Sequence, residues 1–475
     1  MENKFASLHG QLRRTPFLLL PSGKILDVIM IKKINISGGR LPKSPAKLVG
    51  LLIGTAAATP GLSSPVPSMP LKPWHICLLL ALAIGFNFRR KLERNFIPKL
   101  YRVDVALILF SVATLMVDLI NAKDLNFTAD YMVATRPIFW LMVLWAGRFV
   151  LHSMEDASDF LVGFTLPVFP SAVIGFGQLV GIDFIQQFVI KWAPDSAGLS
   201  SRLDQDKLIR ATGFVQNWTQ FGAYLCTVIA AAMALLITSK IHKIGNALYP
   251  WLVLMTAGFA VLSTLTLSAV GTALAIFLVC SREAKAIGKS LSILIFVGLI
   301  SSAFLSAYIE ERLDQQFATS AVVSSDGDGS WIPSTLLYRE KIWITETIPM
   351  VAERPLTGWG SNVYAAAQGA TGDVGRVYPN KMKWLSPESQ WFSLLMNFGS
   401  IGLIGFLCIV FYMVKILYKS YKVKASWIYK PTATLLFMMI ISAFVASVFT
   451  NHGLPIGLWA LLAVVSIYQS KPQYG

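Results

Sequence analysis

Long apolar runs alternate with short polar, mostly basic, stretches along nearly the whole chain. Runs of the length a bilayer requires, about 17 to 25 residues, fall at roughly 45–62, 73–88, 103–121, 130–150, 158–180, 214–238, 247–263, 264–281, 289–308, 391–417, 431–450 and 452–469. They predict twelve transmembrane helices, within a range of 11–13, because the first two runs are short and 247–281 divides in more than one way. The stretch from Pro16 to Ile31 is interrupted by Lys24 and Asp27 and reads as an interfacial segment rather than a span. No cleavable signal peptide is expected, since Met1–Arg14 is followed by neither a clean apolar core nor a small-residue cleavage site.

Composition narrows the class. The 475 residues are 55% hydrophobic and 14% charged, with a mean hydropathy of +0.59, whereas a soluble domain carries about 25% charged residues. A soluble or disordered chain is excluded, and the fold class is an all-α polytopic membrane protein. The net charge of +16 is distributed as an orientation signal. Of the 41 Lys and Arg, 27 lie on the side formed by the N-terminus to residue 48, 89–102, 148–157, 239–246, 281–290, 415–430 and the tail. Short basic loops stay in the cytoplasm, so both termini are expected there. The clusters Arg89-Arg90-Lys91-Leu92-Glu93-Arg94 and Lys419-Ser420-Tyr421-Lys422-Val423-Lys424 mark that side most strongly. The lipid bilayer, not nucleic acid, is the expected partner of this charge. Cys77, Cys226, Cys280 and Cys408 all sit in apolar runs without metal-type spacing, so neither zinc nor disulfides are expected.

The resulting organisation is a basic cytoplasmic N-terminus over 1–44 and nine helices over 45–308, with an outer loop at about 181–213. A large outer loop over 309–390, three more helices over 391–469 and a cytoplasmic tail over 470–475 follow. The turn-rich run from Ser324 to Ser330 has the look of a calcium-loop fragment but lacks the spaced downstream ligands. Nucleophile-elbow, phosphate-loop and His-Glu-x-x-His signatures are missing. Chemistry therefore rests on a few polar residues at the outer membrane surface, and no cofactor is implied.

Four stretches qualify. Arg210 immediately precedes the apolar run at 214–238. Unpaired N–H groups at a helix start together with a guanidinium fork suit a phosphate, and the plain alternative is an arginine anchoring a helix end. In Tyr338–Gly360, the positions Ile342, Thr345, Ile348 and Val351 recur at helical spacing. They predict a short amphipathic helix resting on the bilayer, with Arg339 near its start, broken by Pro355 and the two glycines. The plain alternative there is a surface helix with solvated charges. Glu388, in Ser386-Pro387-Glu388-Ser389-Gln390-Trp391, precedes the run at 391–417 and reads either as a helix cap or as a carboxylate able to take a proton from a sugar hydroxyl. His452 stands at the outer start of the last run, where a lone histidine is commonly structural.

Together the first three of these stretches resemble the O-antigen ligase and polysaccharide polymerase (Wzy-like) superfamily of bacterial membrane glycosyltransferases. The residues carrying the resemblance are Arg210 with Gly213-Phe214 and Asn217, Tyr338-Arg339 with Ile342-Trp343, and Arg354-Pro355-Leu356-Thr357-Gly358-Trp359-Gly360. Glu388-Ser389-Gln390-Trp391 and Asn397-Phe398-Gly399 with Gly402-Leu403 and Gly405 complete it, over roughly 200–408. The resemblance implies a metal-independent, all-helical GT-C-like transferase with a large outer helical loop. It would use an undecaprenyl-diphosphate-linked oligosaccharide at the periplasmic face of the bacterial inner membrane. Arg210 and Arg339 would hold the diphosphate. Glu388 would be the base where ligases usually carry a histidine, which favours a polymerase of O-antigen, capsule or exopolysaccharide over a ligase. A chain-length regulator would be a further partner.

Polymerases of this group also show an arginine eleven positions before a glycine. Arg202 with Gly213 and Arg136 with Gly147 fit, but 16 arginines and 34 glycines in 475 residues yield about one such match by chance, so the pattern decides nothing. Arg136, Arg202, Asn217, Tyr338, Arg354, Gly358, Gly360 and His452 complete the candidate substrate contacts, with Arg210, Arg339 and Glu388 as catalytic candidates. A transporter or flippase is the alternative from another class. It is disfavoured because the basic residues lie at span ends and the long loop is external.

Overall fold

In the computed structural model the described residues are 44–64, 71–93, 96–125, 131–193, 209–215, 217–284, 305–311, 334–361, 387–423, 425–449 and 453–469, with isolated positions between 288 and 314. Among them the chain is all-helical. The first seven helices are α1 (Ala46–Ala58), α2 (Pro73–Leu92), α3 (Arg102–Leu125), α4 (Tyr131–Val150), α5 (Met154–Thr165), α6 (Val168–Leu179) and α7 (Asp183–Trp192). Then come α8 (Trp218–Ile237), α9 (Leu248–Ser263), α10 (Leu267–Glu283), α11 (Ser334–Ile342), α12 (Ile348–Glu353), α13 (Gln390–Lys422), α14 (Ser426–Ser442) and α15 (Gly453–Ser466). The apolar run at 158–180 resolves into α5 and α6 around Leu166-Pro167, and 247–281 divides at Thr264–Thr266. The predicted interfacial segment Pro16–Ile31, most of the run at 289–308, the Ser324–Ser330 turn and the tail lie outside the described residues.

Among the described residues four stretches, Arg102–Asn121, Met154–Leu179, Trp218–His242 and Gln390–Lys422, are long and apolar enough to cross a membrane. Their outer faces agree with that reading. Val105, Leu109, Val112 and Met116 line one side of α3, and Ile401, Ile404, Leu407, Phe411, Val414 and Tyr418 line one side of α13. All ten are between 41% and 63% exposed. Water does not tolerate such continuous apolar stripes on a monomer, whereas lipid does. From Ile401 to Tyr418 the stripe runs for about 26 Å at 1.5 Å per residue, close to the thickness of a hydrocarbon core. The chain is an integral membrane protein. Inside the stripes, α8 is buried along nearly its whole length, and α15 is buried from Ile456 through Val465.

Hydrogen bonds between helix termini sort into two sets, which define two ends of the bundle. At one end Ser44 Oγ donates to the Val150 carbonyl (2.9 Å), Arg148 Nη1 to Asp104 Oδ1 (2.7 Å), Ser420 Oγ to the Val465 carbonyl (3.2 Å) and Trp427 Nε1 to the Tyr468 hydroxyl (2.9 Å). Lys430 pairs with Glu283 there as well. At the other end Gly61 N donates to the Phe214 carbonyl (2.9 Å), Ser63 N to that of Trp192 (2.8 Å), Arg354 Nη1 to Asn121 Oδ1 (2.9 Å) and Gln390 N to the Ala443 carbonyl (2.8 Å). The first end carries Arg89, Arg90, Lys91, Arg102, Lys415, Lys419 and Lys422 at helix termini. It is the basic end. All the described candidate site residues except Arg136 are tied by hydrogen bonds or chain position to the opposite one.

Candidate functional site

Two of the predicted stretches meet at that opposite end. Residues Ser334 to Glu353 form α11, a π-helical turn over Trp343–Thr347, and α12. Trp343 Nε1 donates to the carbonyl of Pro387 (2.7 Å), and its ring lies 5.2 Å from that of Phe392. This clamp sets Arg339, one helical turn earlier, against the loop that begins α13. Its Nη2 is 2.7 Å from Glu388 Oε2, with the two side chains 20% and 41% exposed. A pair this open to solvent contributes at most about 1 kcal/mol to stability. Its consequence is the placement of a guanidinium and a carboxylate side by side. Ser389 is the cap residue of α13, and Glu388 stands one position before it with φ +48°. Beside the pair, partial burial and the Glu388 carboxylate push the Tyr338 hydroxyl above its ordinary pKa.

The helix forms, and the positions Ile342, Thr345, Ile348 and Val351, expected to rest on the bilayer, divide between the protein and the outside. Ile342, Glu346, Thr347 and Met350 are buried, while Thr345 and Ile348 are exposed. The π turn adds one residue to a helical turn and so rotates the following face. Glu346, unremarkable in the sequence, thereby becomes a buried carboxylate close enough to act on Tyr338.

The Arg354–Gly360 loop fills a break in α13. At Gly399 the backbone turns to φ 60°, ψ −156°, which interrupts the helical ladder. The loop supplies the missing partners: Trp359 N and Gly360 N donate to the carbonyls of Met396 (2.7 Å) and Asn397 (2.8 Å), and Ser400 N and Ile401 N donate to those of Pro355 (2.8 Å) and Leu356 (3.3 Å). Backbone groups at membrane depth need such partners because no water replaces them. The loop is held in turn by α3. Asn121 Oδ1 accepts from Arg354 and Asn121 Nδ2 donates to the Thr357 carbonyl (3.3 Å), while buried Asp118 accepts from Ser361 N (2.7 Å) and Ser361 Oγ (2.9 Å). The Arg354 guanidinium lies 4.8 Å from the centre of the Trp359 ring. The approach is close at Gly358, where a Cβ would stand 2.5 Å from the Met396 carbonyl oxygen. Asp118 and Asn121 are site residues that motif spacing missed. An acid inside an apolar span is itself the signal that could have found one of them.

Arg210 is buried at the start of the segment leading into α8. Nε donates to the Thr264 carbonyl (2.9 Å), and Nη2 to the Leu265 carbonyl (2.8 Å) and Thr266 Oγ1 (2.8 Å). The guanidinium also covers the Trp218 ring at 4.5 Å. It therefore holds the break between α9 and α10 closed, where Leu265 adopts φ +50°. Thr212 N and Gly213 N donate to Gln178 Oε1 at 3.0 and 2.9 Å, which fastens the same segment to α6. Arg210→Ala would leave the Thr264 and Leu265 carbonyls buried without this donor, each costing about 1–3 kcal/mol. A clear fall in the thermal midpoint of the purified protein is expected. An unchanged midpoint with lost activity would assign Arg210 wholly to the substrate.

Asn217 caps α8, with its Oδ1 accepting from Gln220 N at 2.8 Å. Arg136 lies half-buried on α4, one residue before Pro137. Arg202 and His452 lie outside the described residues. Among the described residues no three His, Cys, Asp or Glu side chains cluster as a metal-ligand set.

Residues 222–407 match the family model described as O-antigen ligase, which supports the superfamily that the motifs resemble. With the apolar helices, the match, which covers less than half of the chain, points to a glycosyltransferase-like membrane enzyme of polysaccharide synthesis. It includes Arg339, Arg354 and Glu388 and begins after Arg210 and Asn217. No curated protein matches the chain.

Proposed function

We propose that this protein is a polymerase of a surface polysaccharide. It would transfer a growing glycan from undecaprenyl diphosphate to a lipid-linked repeat unit at the outer face of the plasma membrane. The observation that carries the reading is the Arg339–Glu388 pair, 2.7 Å apart and open to solvent where α13 enters the bundle. A diphosphate headgroup competes with Glu388 for the guanidinium fork, and its arrival releases a carboxylate beside the anionic leaving group. The acceptor hydroxyl then attacks the anomeric carbon as the C–O bond to the diphosphate breaks. Glu388 takes the hydroxyl proton, and the charge left on the diphosphate is stabilised by Arg339 together with Arg210. Preorganised guanidinium groups perform this electrostatic work with no metal step.

Support comes also from backbone strain. Two of the three described non-glycine residues with positive φ, Leu265 and Glu388, bind Arg210 and Arg339, and strained residues cluster at functional sites. Tyr338, Arg354, Gly358, Gly360, Asn217, Arg136, Arg202 and His452 are the proposed walls of the sugar site. The exposed Ile344 and Ile348 would rest on the bilayer. In this reading the chain spans the inner membrane twelve times as a GT-C-type transferase. The basic end and both termini would be cytoplasmic by the positive-inside rule, and a chain-length regulator would be a partner.

Incubating the purified protein with a lipid-diphosphate-linked repeat unit alone is expected to give a ladder of lengthened products. No product until a second acceptor is added would move the reading to a ligase. No transfer in either case would remove the transferase reading.

A further inference from the structure

A cavity of about 470 Å³ opens at the basic end, lined by Leu100, Tyr101, Arg102, Val103, Tyr412, Lys415, Ile416 and Lys419. It lies at the opposite end of α3 and α13 from the candidate transferase site. Asn121, which binds the Arg354 loop, and Arg102 are near opposite ends of α3, and Lys415 lies 16 residues beyond the break at Gly399, about 24 Å at 1.5 Å per residue. The volume is that of a small-molecule site. Its polar lining is cationic and phenolic: Arg102, Lys415 and Lys419 with Tyr101 and Tyr412. The carboxylate of Asp104 is not available to these cations, because Arg148 Nη1 binds both of its oxygens (2.7 and 2.9 Å) and Tyr101 N donates to Oδ2 (2.9 Å).

The cavity also sits at a defined depth. The exposed apolar stripe of α13 ends at Phe411, Val414 and Tyr418, on the same turns that carry Lys415 and Lys419, and Leu100 in the cavity lining is 58% exposed. Long basic side chains with apolar stems and heads reaching toward water belong at the boundary between acyl chains and headgroups. A concave, cationic, carboxylate-poor site at that boundary fits one ligand chemistry.

We propose that this cavity binds a phosphate-bearing anion, namely the headgroup of an anionic phospholipid in the leaflet facing away from the transferase site. The phosphodiester sits among Arg102, Lys415 and Lys419, with the tyrosine hydroxyls as further donors and the acyl chains along the α3 and α13 stripes. Each basic residue in contact with the bound headgroup is expected to be worth about fivefold in retention, the scale of one Lys or Arg against an anionic lipid.

The test uses the full chain in phosphatidylcholine nanodiscs containing titrated phosphatidylglycerol, with retained lipid counted by native mass spectrometry. Lys415→Gln is expected to weaken retention about fivefold, and the triple variant Arg102→Gln, Lys415→Gln, Lys419→Gln about 100-fold. A second triple variant, Lys91→Gln, Lys240→Gln, Lys243→Gln, removes as many exposed charges outside the cavity and is expected to retain the lipid. Equal loss in both triple variants would reduce the effect to net charge and overturn the site. Unchanged retention in the cavity variants would overturn it as well. Displacement of the lipid by millimolar inorganic phosphate would show a free-phosphate site and overturn the lipid assignment, whereas resistance to it upholds a headgroup. The single Lys415 variant keeps the test decisive if the triple variant fails to fold.

Discussion

Arg339→Ala is expected to lower glycan transfer by about 10²–10³-fold, the usual consequence of removing one donor from a developing anion, while the protein still accumulates and melts normally. The two halves of this expectation have separate grounds. Catalytic loss follows if the guanidinium now held by Glu388 takes up the leaving diphosphate. Stability is spared because the pair is 20% and 41% exposed and such pairs contribute little to folding. Lysine at the same position keeps the charge but not the planar fork, so it should restore only a small share of the rate. Initial rates of ladder formation and thermal midpoints in nanodiscs measure both halves. A wild-type rate in the alanine variant would exclude Arg339 from the chemistry, and a collapsed midpoint would make it a structural residue.

Gly399→Ala is expected to destabilise the protein by about 3–5 kcal/mol, from a left-handed backbone and from overpacking. A Cβ there would lie 2.2 Å from the Leu356 carbonyl oxygen and 2.6 Å from Thr357 N, at φ +60°. Neither neighbour is a flexible side-chain tip; both are backbone of the loop that satisfies the broken helix. The substitution therefore expels the Arg354–Gly360 loop and strands four backbone groups. With it goes the Trp359 anchor, whose Nε1 donates to the Met350 carbonyl at 2.9 Å and so holds the end of α12. Gly271→Ala in α10, where nothing lies within 4 Å of the added methyl, serves as the control and should be neutral or slightly stabilising. Equal midpoints for the two variants would show that the loop does not brace α13.

Much of this was readable along the chain, for a local reason. The divide of the 247–281 stretch near Thr264 shows along the chain, and the helical spacing read within Tyr338–Ala352 falls inside the helical segment Ser334–Glu353, whereas the run read from 214 becomes helical only at Trp218. The face that Ser334–Glu353 turns to the protein did not show: periodicity assumes 3.6 residues per turn, and one π turn brings Glu346, Thr347 and Met350 inward beside Ile342. The glycines of Arg354–Gly360 read as a turn, yet their closest neighbours belong to a helix almost forty positions later. Arg210 read as a phosphate ligand or an anchor, and its hydrogen bonds show that it is at least an anchor, bound to a break more than fifty residues away.

The sequence by itself determined that this chain lives in a bilayer and which of its ends is basic. Transfer of a segment into lipid depends on its own residues, added one after another, so counting along the chain suffices. Only the tertiary structure decided which polar groups meet. Arg339 and Glu388 stand 49 positions apart, and they touch because Trp343 is hydrogen-bonded to Pro387. Asp118 and Asn121 matter because the loop around Gly358 packs into the break at Gly399 and brings Ser361 and Arg354 onto α3. Contacts of this kind depend on backbone groups that lack partners within their own segments and find them in distant ones.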